Sequence, residues 1–442
     1  TGTTPTVPPQ PHPPIGLDAL RYRPARETAR KPQSPAIHRV GWGFITLYTL
    51  AFMSTSLVFI APLLVTLALK VNSLVGTDRA PNSLSLVTGI GALLSLFANP
   101  YFGRKSDHTS SQLGMRRPWM VIGLLGGSLG ILVVALAPDI AVVLIGWCIA
   151  QVFFNALLAA LVAVLPDQVP AAQRGLVSGV LGVCLPIASV TGTYVVQLFS
   201  GNHLAMFLGP CAIGGFFILV FAVTLKDRRL AEADKPTWSL REFLSTFYVN
   251  PRRSPDFAWA FASRFMFVLA YAFLATYQAY YLLDKIGSAE DDVPHQIFLG
   301  TLTQSVVLVA ASLFCGRLSD RTGRRKIFVA TASIVYGLAL FMVARASDVN
   351  GFLVGMAIGG LGFGTYMAVD LALVVDVLPD KSNAAKDLGV LNIAGALPFS
   401  VAPAIAPAVL SIGSGSYGVL YAFAGVCAII GAFTILPVKS VR

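Results

Sequence analysis

Long runs of mainly apolar residues alternate with short polar segments from about residue 40 to residue 437. Because roughly 20 consecutive apolar residues make a helix that crosses a bilayer, each run predicts one membrane-spanning helix. Such helices satisfy their own backbone hydrogen bonds in lipid, so the chain is predicted to be an all-α integral membrane protein. The twelve predicted spans are 40–69, 83–102, 118–137, 140–165, 174–199, 204–225, 256–283, 296–315, 327–344, 350–378, 388–411 and 416–437.

Two polar segments divide the chain. Residues 1–36 contain nine of the 27 prolines, a composition typical of a disordered cytoplasmic tail. The predicted units are this tail (1–36), a first half (37–225), a cytoplasmic linker (226–255) and a second half (256–442). In the linker, apolar side chains recur on one helix face, which predicts an amphipathic helix that lies on the membrane surface or binds a partner: Leu240, Phe243, Leu244, Phe247 and Tyr248.

Composition and charge agree with a membrane protein and predict its orientation. The 442 residues are 55% hydrophobic and 12% charged, with a net charge of +11. If the N-terminus is cytoplasmic, the loops on the opposite side hold only Lys70, Arg79, Lys285 and Arg345. Because cytoplasmic loops carry an excess of Lys and Arg, both termini are predicted to be cytoplasmic. The positive charge is assigned to topology and to membrane lipid headgroups, and nucleic acid is not expected as a partner.

The two halves repeat one another in sequence. The segments GRKSD (103–107) and GRLSD (316–320) lie 213 residues apart, as do the copies of VLPD at 164–167 and 377–380. A Leu-Pro pair at 185–186 recurs 212 residues later. Parallel repeats of six spans are an architecture of transporters whose halves rock against each other. The predicted fold is therefore two six-helix pseudo-repeats.

The polar loop between the second and third spans of each half carries a motif. The pattern G-x-x-S-D-R-x-G-R-R fits residues 316–325, whereas the copy at 103–117 has His108 for the arginine and four inserted residues. On these residues the chain resembles the major facilitator superfamily over nearly its whole length, which implies alternating-access transport.

The resemblance also implies that this cluster links the halves in the outward-facing state. The alternative is that its arginines only fix the topology. The residues concerned are Gly103, Asp107, Arg116, Arg117, Gly316, Asp320, Arg321, Arg324 and Arg325.

The same resemblance places the substrate cavity mainly between the first and fourth spans of each half. The polar residues there are amides, hydroxyls and aromatic rings, which suit a neutral hydroxylated solute. Some of them could instead stabilise helix contacts or form an interfacial aromatic belt. The candidate substrate-binding residues are Tyr48, Trp147, Gln151, Asn155, Tyr271, Tyr277, Gln278 and Tyr366.

Two charged residues lie well inside predicted spans. Arg264 follows Asp256 by eight residues and Asp370 precedes Leu378 by eight residues, so each lies about 12 Å from the cytoplasmic end. Because a charge at the centre of a span costs roughly 2.5–3.5 kcal/mol, the two are predicted to pair. The pair could be a static link between helices. Alternatively, Asp370 could accept the coupling proton, with Arg264 responding to its change of charge.

Three local matches are similar to sugar-cation symporters of the glycoside and sucrose-carrier type. They are the loop ending in GMRRPW, the segment NALLAAL (155–161) and the segment GVLNIAGALP (389–398). The sequence departs from that branch at Asn155, Ala160 and Phe399, where sucrose carriers have Arg, Asp and Gln, so their substrate and proton residues do not transfer. Residues 179–192 are loosely similar to a motif of proton-driven drug exporters, which are the alternative function.

The predicted function is alternating-access transport of a small, neutral, sugar-like solute by proton-coupled symport in the plasma or inner membrane. The expected form is a monomer driven by the proton gradient. The sequence has no pattern of a nucleotide loop, catalytic triad or metal site, so neither an enzyme nor a cofactor is predicted. The five cysteines lack ligand spacing and are predicted to be small core residues. A scaffold or transceptor without transport is a third alternative.

Overall fold

The structure is a computed structural model that describes, apart from Gly2, residues 39–227, 254–377 and 384–438. The predicted tail, Gly2 excepted, and the predicted amphipathic helix lie outside the described residues. From Arg39 to Arg442 the chain forms one compact unit. In the described ranges, twelve helices are long and apolar enough to cross a membrane.

Six spans form each half, and we label them in chain order. The first half has α1 (Trp42–Val75, with a π-helical turn at Pro62–Thr66), α2 (Ala80–Asp107), α3 (Arg117–Leu136), α4 (Ile140–Gln168), α5 (Ala171–Gly182 and Cys184–Leu198) and α6 (His203–Thr224). The second half has α7 (Pro255–Tyr280, continued by a π-helical turn at Tyr281–Ile286), α8 (Val293–Thr322), α9 (Arg325–Arg345), α10 (Val349–Asp376), α11 (Ala384–Ala396 and Pro398–Ile412) and α12 (Tyr417–Thr434). The predicted all-α fold of twelve spans in two sets of six is confirmed.

Several helices extend beyond the apolar runs that predicted them. The apolar run of α2 ends near residue 102, but the helix continues to Asp107 and carries Arg104 and Lys105 in its last turn. Cations interact favourably with the carbonyl end of a helix, and their long stems can cover apolar surface while the charge reaches water. Hydropathy therefore marks the lipid-facing stretch, whereas side chains at the ends decide where the helix stops.

We call the end of the bundle where α1 begins the proximal end, and the opposite end the distal end. Three helices that begin at the distal end have an Asp or Asn side chain at the N-cap position. Asp139 accepts from the Val142 N–H of α4 (2.9 Å), and Asp348 accepts from the Gly351 N–H of α10 (2.7 Å). Asn202 caps α6 in the same way. Because α4 and α10 are fourth in their halves, the repeat extends to the capping chemistry.

Glycines allow helices to approach at backbone distance in both halves. A Cβ added at Gly130 of α3 would lie 2.7 Å from the carbonyl oxygen of Gly146 in α4. A Cβ added at Gly337 of α9 would lie 2.9 Å from the carbonyl oxygen of Gly425 in α12. Membrane helices lack a hydrophobic driving force for association, so such small-residue contacts contribute much of their packing.

The fifth span of each half is broken near its centre. α5 is interrupted at Val183, three residues before Pro186, and α11 is interrupted at Leu397, directly before Pro398. Proline lacks the N–H that would continue the helical ladder, so Pro186 and Pro398 cannot donate to the carbonyls of Gly182 and Ala394, four residues earlier. Close to the first break there is also a contact with the other half. The Pro186 carbonyl lies 3.5 Å from the Ser305 hydroxyl of α8, in the other half.

The two halves meet most closely at the distal end. Among the described residues four hydrogen bonds cross between the halves, and three of them lie there. Tyr280 of α7 donates to the Ala68 carbonyl of α1 at 3.0 Å. Gln197 near the end of α5 bonds His295 near the start of α8 at 2.9 Å. The third is the Tyr277–Ser85 bond described below. This end of the bundle is therefore closed by direct contacts.

Candidate functional site

In the described part of the chain, four cavities are lined by residues of both halves. Two of them, of about 600 and 350 Å³, lie at the distal surface, around the ends of the helices and the loops there. The other two lie within the bundle, and we call these the larger and the smaller cavity. The larger, of about 520 Å³, is lined mainly by α5 of the first half and by α7, α8 and α10 of the second. The smaller, of about 280 Å³, is lined mainly by α1, α2, α4 and α11. Leu185 lines both cavities. The rings of Tyr271 and Phe399, one from each lining, meet edge to face at 6.1 Å. The cavities are neighbouring compartments divided by apolar side chains.

The larger cavity extends toward the proximal end. Its lining runs from Gln278 and Thr301 to Gly316 in the signature motif of α8. On the side of the first half it includes Gly179 and Gly182, which lie before the break in α5. The closed distal end and this proximal extension together give the bundle one blocked and one accessible side.

Five of the eight residues predicted to bind substrate line these cavities. They are Tyr271 and Gln278 in the larger cavity, and Trp147, Gln151 and Asn155 in the smaller one. The Asn155 amide is oriented by two contacts. Its Nδ2 donates to the Gln151 carbonyl at 2.8 Å, and its Oδ1 accepts from Asn99 Nδ2 at 3.4 Å. The amide is therefore held in a fixed orientation at the cavity wall.

The other three candidates do not line either cavity. Tyr48 is fully buried within the first half, where its hydroxyl donates to the Leu161 carbonyl of α4 at 3.0 Å. The Tyr277 hydroxyl forms a 2.6 Å hydrogen bond with Ser85 across the closed distal end. Tyr366 packs behind the cavity, beside the ion pair described below. We therefore correct the placement of these tyrosines, because membership of a first or fourth span does not tell which face a residue occupies.

Sequence reasoning missed a stripe of polar residues on the second span of the second half. Its other members follow Thr301 by three, four and eleven residues and therefore share one helix face with it, so the stripe could have been recognised in the sequence. The family resemblance does not point to it, because it places the cavity mainly between the first and fourth spans of each half. The stripe consists of Thr301, Gln304, Ser305 and Ser312 of α8, all of which line the larger cavity.

Arg264 and Asp370 form an ion pair between α7 and α10. Arg264 Nη1 lies 2.7 Å from Asp370 Oδ2, and the exposed fractions of the two side chains are 20% and 8%. The predicted contact between these charges is thus present. The Arg264 Nε is buried and has no hydrogen-bond partner among the described residues. The guanidinium also faces Gly395 of α11, where an added Cβ would lie 3.7 Å from Nη2.

Aromatic rings enclose the ion pair on one side. Tyr366 lies one helical turn before Asp370 and stacks on Phe267 of α7, with ring centroids 3.7 Å apart and planes inclined by 4°. The Tyr366 ring is fully buried, and its hydroxyl lacks a hydrogen-bond partner in the described part of the chain. Phe267 follows Arg264 by three residues and Tyr366 precedes Asp370 by four, so these buried rings lie one helical turn from the pair. In such surroundings the attraction between the charges is screened less than in water.

The first copy of the signature loop is a buried charge network. Arg116 is 4% exposed. Its Nη2 lies 2.6 Å from Asp107 and its Nε 2.8 Å from Asp167, while Nη1 donates to Ser106. Burial alone would lower the pKa of the Arg116 guanidinium, but Asp167 and Asp107 raise it above its ordinary value, so this side chain stays charged. Each edge of the guanidinium thus has an acceptor within the first half.

Asp227, which the sequence analysis did not select, anchors the same loop. Its Oδ2 accepts from the backbone N–H groups of Arg116 (2.6 Å) and Arg117 (2.9 Å) at the start of α3. Gly114 adopts φ +107° and lies directly against this carboxylate, where no other side chain would fit. Asp227 follows α6 by three residues, so the cap comes from far along the chain. No local sequence signal identifies it.

The second copy of the loop is more exposed. A Cβ added at Gly316 would lie 3.4 Å from Ala368 of α10, and one added at Gly103 would lie 3.9 Å from Ala159 of α4, so the motif glycine faces the fourth span in each half. Gly323, at φ +63°, ends α8. The flanking side chains Asp320, Arg321 and Arg324 are exposed, and Arg325 is half-buried.

The repeat is also visible in one tertiary contact of these loops. Arg117 Nη2 donates to the Val223 carbonyl at 3.0 Å, and Lys326 Nζ donates to the Val438 carbonyl at 2.8 Å. In each half, a basic residue at the start of the third span therefore bonds a carbonyl at the end of the sixth span or just beyond it.

Comparison with sequence families agrees with this architecture. The sequence model of the Major Facilitator Superfamily matches residues 43–290 and 292–441, which is nearly all of the described bundle. The crystal structure of a mutant of the nucleoside transporter NupG superposes with a TM-score of 0.72 at 12% identity, covering 89% of this chain and 99% of that one. At this identity the similarity concerns the fold.

Individual relatives match only a short segment. Multidrug resistance protein MdtL of Klebsiella pneumoniae (strain 342) is 36% identical over 85 residues, which is 19% of this chain and 21% of that protein. The MdtL protein of Citrobacter koseri is 35% identical over the same length, with the same coverage. The chain therefore matches about a fifth of the length of these relatives.

Proposed function

This chain belongs to the major facilitator superfamily of membrane transporters, and from that premise we propose that it moves a small, neutral, hydroxylated solute by proton-coupled symport. In this proposal Asp370 takes up the coupling proton and Arg264 is its charge partner. The solute binds between the halves, in the two cavities. Both termini face the cytoplasm of a plasma or inner membrane.

The chemistry of the cavity walls supports a neutral, oxygen-rich solute. The polar groups that line the cavities are hydroxyls and amides, with the Tyr271 ring in the larger cavity and the Trp147 ring in the smaller one. Arginine and lysine do not line either cavity among the described residues. Amides and hydroxyls offer both donors and acceptors to sugar-like hydroxyls, and ring faces suit the C–H face of such a molecule.

The Arg264–Asp370 pair is the single observation that carries the coupling mechanism. A carboxylate buried against one arginine can be neutralised by a proton, which removes the attraction that holds the two helices together. Arg264 then has two unsatisfied edges, since its Nε already lacks a partner in the described structure. Movement of α7 relative to α10 after protonation would thus alter the larger cavity, which both helices line.

With both termini in the cytoplasm, the closed distal end would face outward. The conformation would then be inward-facing, with the larger cavity extending toward the cytoplasm. In the opposite state, we propose that the two loops join the halves at the proximal end. Asp107, which is half-exposed beside Arg116, and Asp320 would then each bond an arginine of the other loop, while Arg116 keeps its contacts within the first half. The distal bonds of Tyr277 and Tyr280 would have to break in that state.

A proton-driven exporter of hydrophobic drugs is the second candidate. It is favoured by the short match to multidrug resistance proteins named MdtL and by the apolar side chains, such as Leu274, Leu308 and Met356, that also line the larger cavity. An exporter would bind apolar cations and exchange them for protons, whereas a symporter accumulates its solute with protons.

Transport assays on purified protein in liposomes distinguish the two candidates. The probes are a panel of radiolabelled mono- and disaccharides and a panel of cationic dyes, each with and without an inward proton gradient. We expect sugar accumulation that depends on the gradient, and no dye movement. Dye transport in the direction opposite to proton entry, without sugar uptake, would replace the first proposal by the second.

The Asp370→Asn variant tests the coupling role. We expect it to lose gradient-driven accumulation while still exchanging labelled for unlabelled solute, because exchange needs no net proton transfer. The matched control is Asp348→Asn on the same helix, whose carboxylate caps the distal start of α10. If Asp370→Asn accumulates solute as well as the unchanged protein, the coupling proton binds elsewhere.

A further inference from the structure

The core of the second half contains buried polar groups that bond no protein atom among the described residues. The hydroxyls of Tyr336, Tyr366 and Tyr421 are completely enclosed and have no hydrogen-bond partner, and the same is true of Gln304 Nε2. Nearly all buried polar groups in proteins are paired with protein or with water, so several orphans in one region require an explanation.

These groups form a connected region behind the wall of the larger cavity. Gln304 of α8 lines that cavity. A point at the Cβ position of Gly359 in α10 lies 3.8 Å from Gln304 Nε2 and 3.6 Å from Tyr336 Cε2. The Gln304 amide and the Tyr336 ring are therefore neighbours across the glycine surface of α10, although neither polar group bonds the other.

The region continues from Tyr336 to the ion pair. Phe267 of α7 contacts the Tyr336 ring at 5.0 Å and stacks on the Tyr366 ring at 3.7 Å. Tyr366 precedes Asp370 by one helical turn, so the two side chains lie on the same face of α10. Gln304, Tyr336, Phe267, Tyr366 and Asp370 thus form a series of neighbours from the cavity wall to the proposed proton site.

We propose that internal water molecules fill this region and connect Gln304 to Asp370, with Tyr336 and Tyr366 as the residues that position them. Water accepts from and donates to such hydroxyls and usually makes about three hydrogen bonds when buried. The chain of waters and hydroxyls gives Asp370 a route for proton exchange with the cavity. This transport consequence rests on the proposed function, whereas the presence of the waters does not.

The first test is thermal stability of the purified protein. If the Tyr336 and Tyr366 hydroxyls bind water, Tyr336→Phe and Tyr366→Phe leave that water or its partners unsatisfied and lower the melting temperature. If the hydroxyls are dry and unpaired, the same changes remove an unmet polar group and raise it. A raised melting temperature in both variants overturns the proposal.

The control for this series is Tyr281→Phe. Tyr281 is fully buried in the same half, but its hydroxyl donates to the Val343 carbonyl at 2.7 Å. We expect Tyr281→Phe to lower the melting temperature without any change in coupling. It therefore separates loss of a buried hydroxyl from loss of the proposed route.

The second test is proton coupling. We expect Tyr336→Phe and Tyr366→Phe to reduce the rate of gradient-driven uptake by about tenfold, the effect of losing one hydrogen bond along the route. The pH profile of uptake should also change, while solute exchange stays close to that of the unchanged protein. Uptake and pH profile equal to those of Tyr281→Phe would refute the route. Failure of the proposed function itself is recognised separately, because Asp370→Asn would then leave gradient-driven uptake intact.

Discussion

Arg116, in the loop before α3, and Arg264, within α7, are both bonded to carboxylates, but their guanidinium groups are satisfied to different degrees. Arg116 bonds Asp107, Asp167 and Ser106 through its three nitrogens. Arg264 bonds one carboxylate through Nη1, and its buried Nε has no partner in the described structure. The side chain of Arg116 is 5% exposed and that of Arg264 is 20% exposed.

The Arg116 network is therefore a contact that stabilises the fold, whereas the Arg264–Asp370 pair is suited to rearrange during transport. Breaking the Arg116 network would leave two carboxylates and a hydroxyl without their donor, at a cost that includes each group's desolvation. Separating Arg264 from Asp370 breaks one ion pair. Protonation of Asp370 lowers the cost of this step, because the carboxyl group then carries no charge that needs a partner. A fully satisfied network therefore favours a single arrangement of its loop, whereas an incompletely satisfied pair can exchange partners during transport.

The largest expected effect in this comparison is on stability at Arg116. Arg116→Ala leaves Asp167 and Asp107 unpaired. It is expected to lower the free energy of unfolding by about 2.5 kcal/mol, less than for a fully buried pair because both carboxylates are partly exposed. The neighbouring variant Arg117→Ala removes a single bond to a carbonyl and is expected to cost about 1 kcal/mol. Chemical unfolding in detergent measures both. Equal losses would mean that the Arg116 network is not a unit.

The second prediction concerns the independence of the two partners in the central pair. Arg264→Ala or Asp370→Ala alone leaves a buried charge and is expected to cost about 2 kcal/mol, discounted for the partial exposure of Arg264. The double variant is expected to be more stable than the sum of the single losses predicts. Additive losses in this double-mutant cycle, measured by unfolding in detergent, would contradict a direct interaction.

A smaller effect is expected for the cap on the first loop. Asp227→Ala removes the acceptor for two N–H groups at the start of α3 and is expected to cost about 1.5 kcal/mol. The control is Asp139→Ala, which removes an exposed cap with one N–H donor from α4 and is expected to cost about 0.5 kcal/mol. If the Asp227 variant loses no more stability than the control in thermal unfolding, then Asp227 does not anchor the loop.

The smallest expected effect separates contacts within a half from contacts between halves. Tyr280 and Tyr48 each donate to a backbone carbonyl at 3.0 Å, the first across the halves and the second within one half. Tyr280→Phe and Tyr48→Phe should each cost about 1 kcal/mol. Only Tyr280→Phe should also favour distal opening, by about fivefold.

Accessibility of a cysteine introduced in the distal half of the larger cavity measures that opening. Reagent added from the distal side should label this cysteine faster in the Tyr280→Phe background than in the Tyr48→Phe background. Equal labelling rates in the two backgrounds would show that the Tyr280 bond does not hold the distal end closed.

The positions of the spans and the pairing of the two central charges could be predicted from the sequence. Hydropathy along the chain is enough to locate helices in lipid, because every helix there must be apolar for about 20 residues. The Arg264–Asp370 contact was predictable because both residues lie at the same depth and an unpaired charge there is costly. The signature loops identified the repeat and the family.

The facing of individual side chains could not be predicted in the same way. Tyr48 and Tyr277 are polar aromatic residues in the expected spans, but the rotation of each helix turns them into packing contacts instead of the cavities. That rotation depends on which neighbour fits against which face, and so on contacts between residues that are far apart in sequence. The polar stripe of α8 had a sequence signal, but only the packing of α8 against α5 and α10 made it a cavity wall.

The sequence by itself thus determined the number of helices, their repeat, their depth in the membrane and the need to pair Arg264 with Asp370. Each of these follows from local composition or from distance along a helix axis. Tertiary structure alone decided that Asp227 caps α3, that the distal end is closed, and that one arginine is saturated while the other retains an unpaired nitrogen. These features depend on groups brought together from separate helices, and their energies are set by burial and geometry that no linear pattern contains.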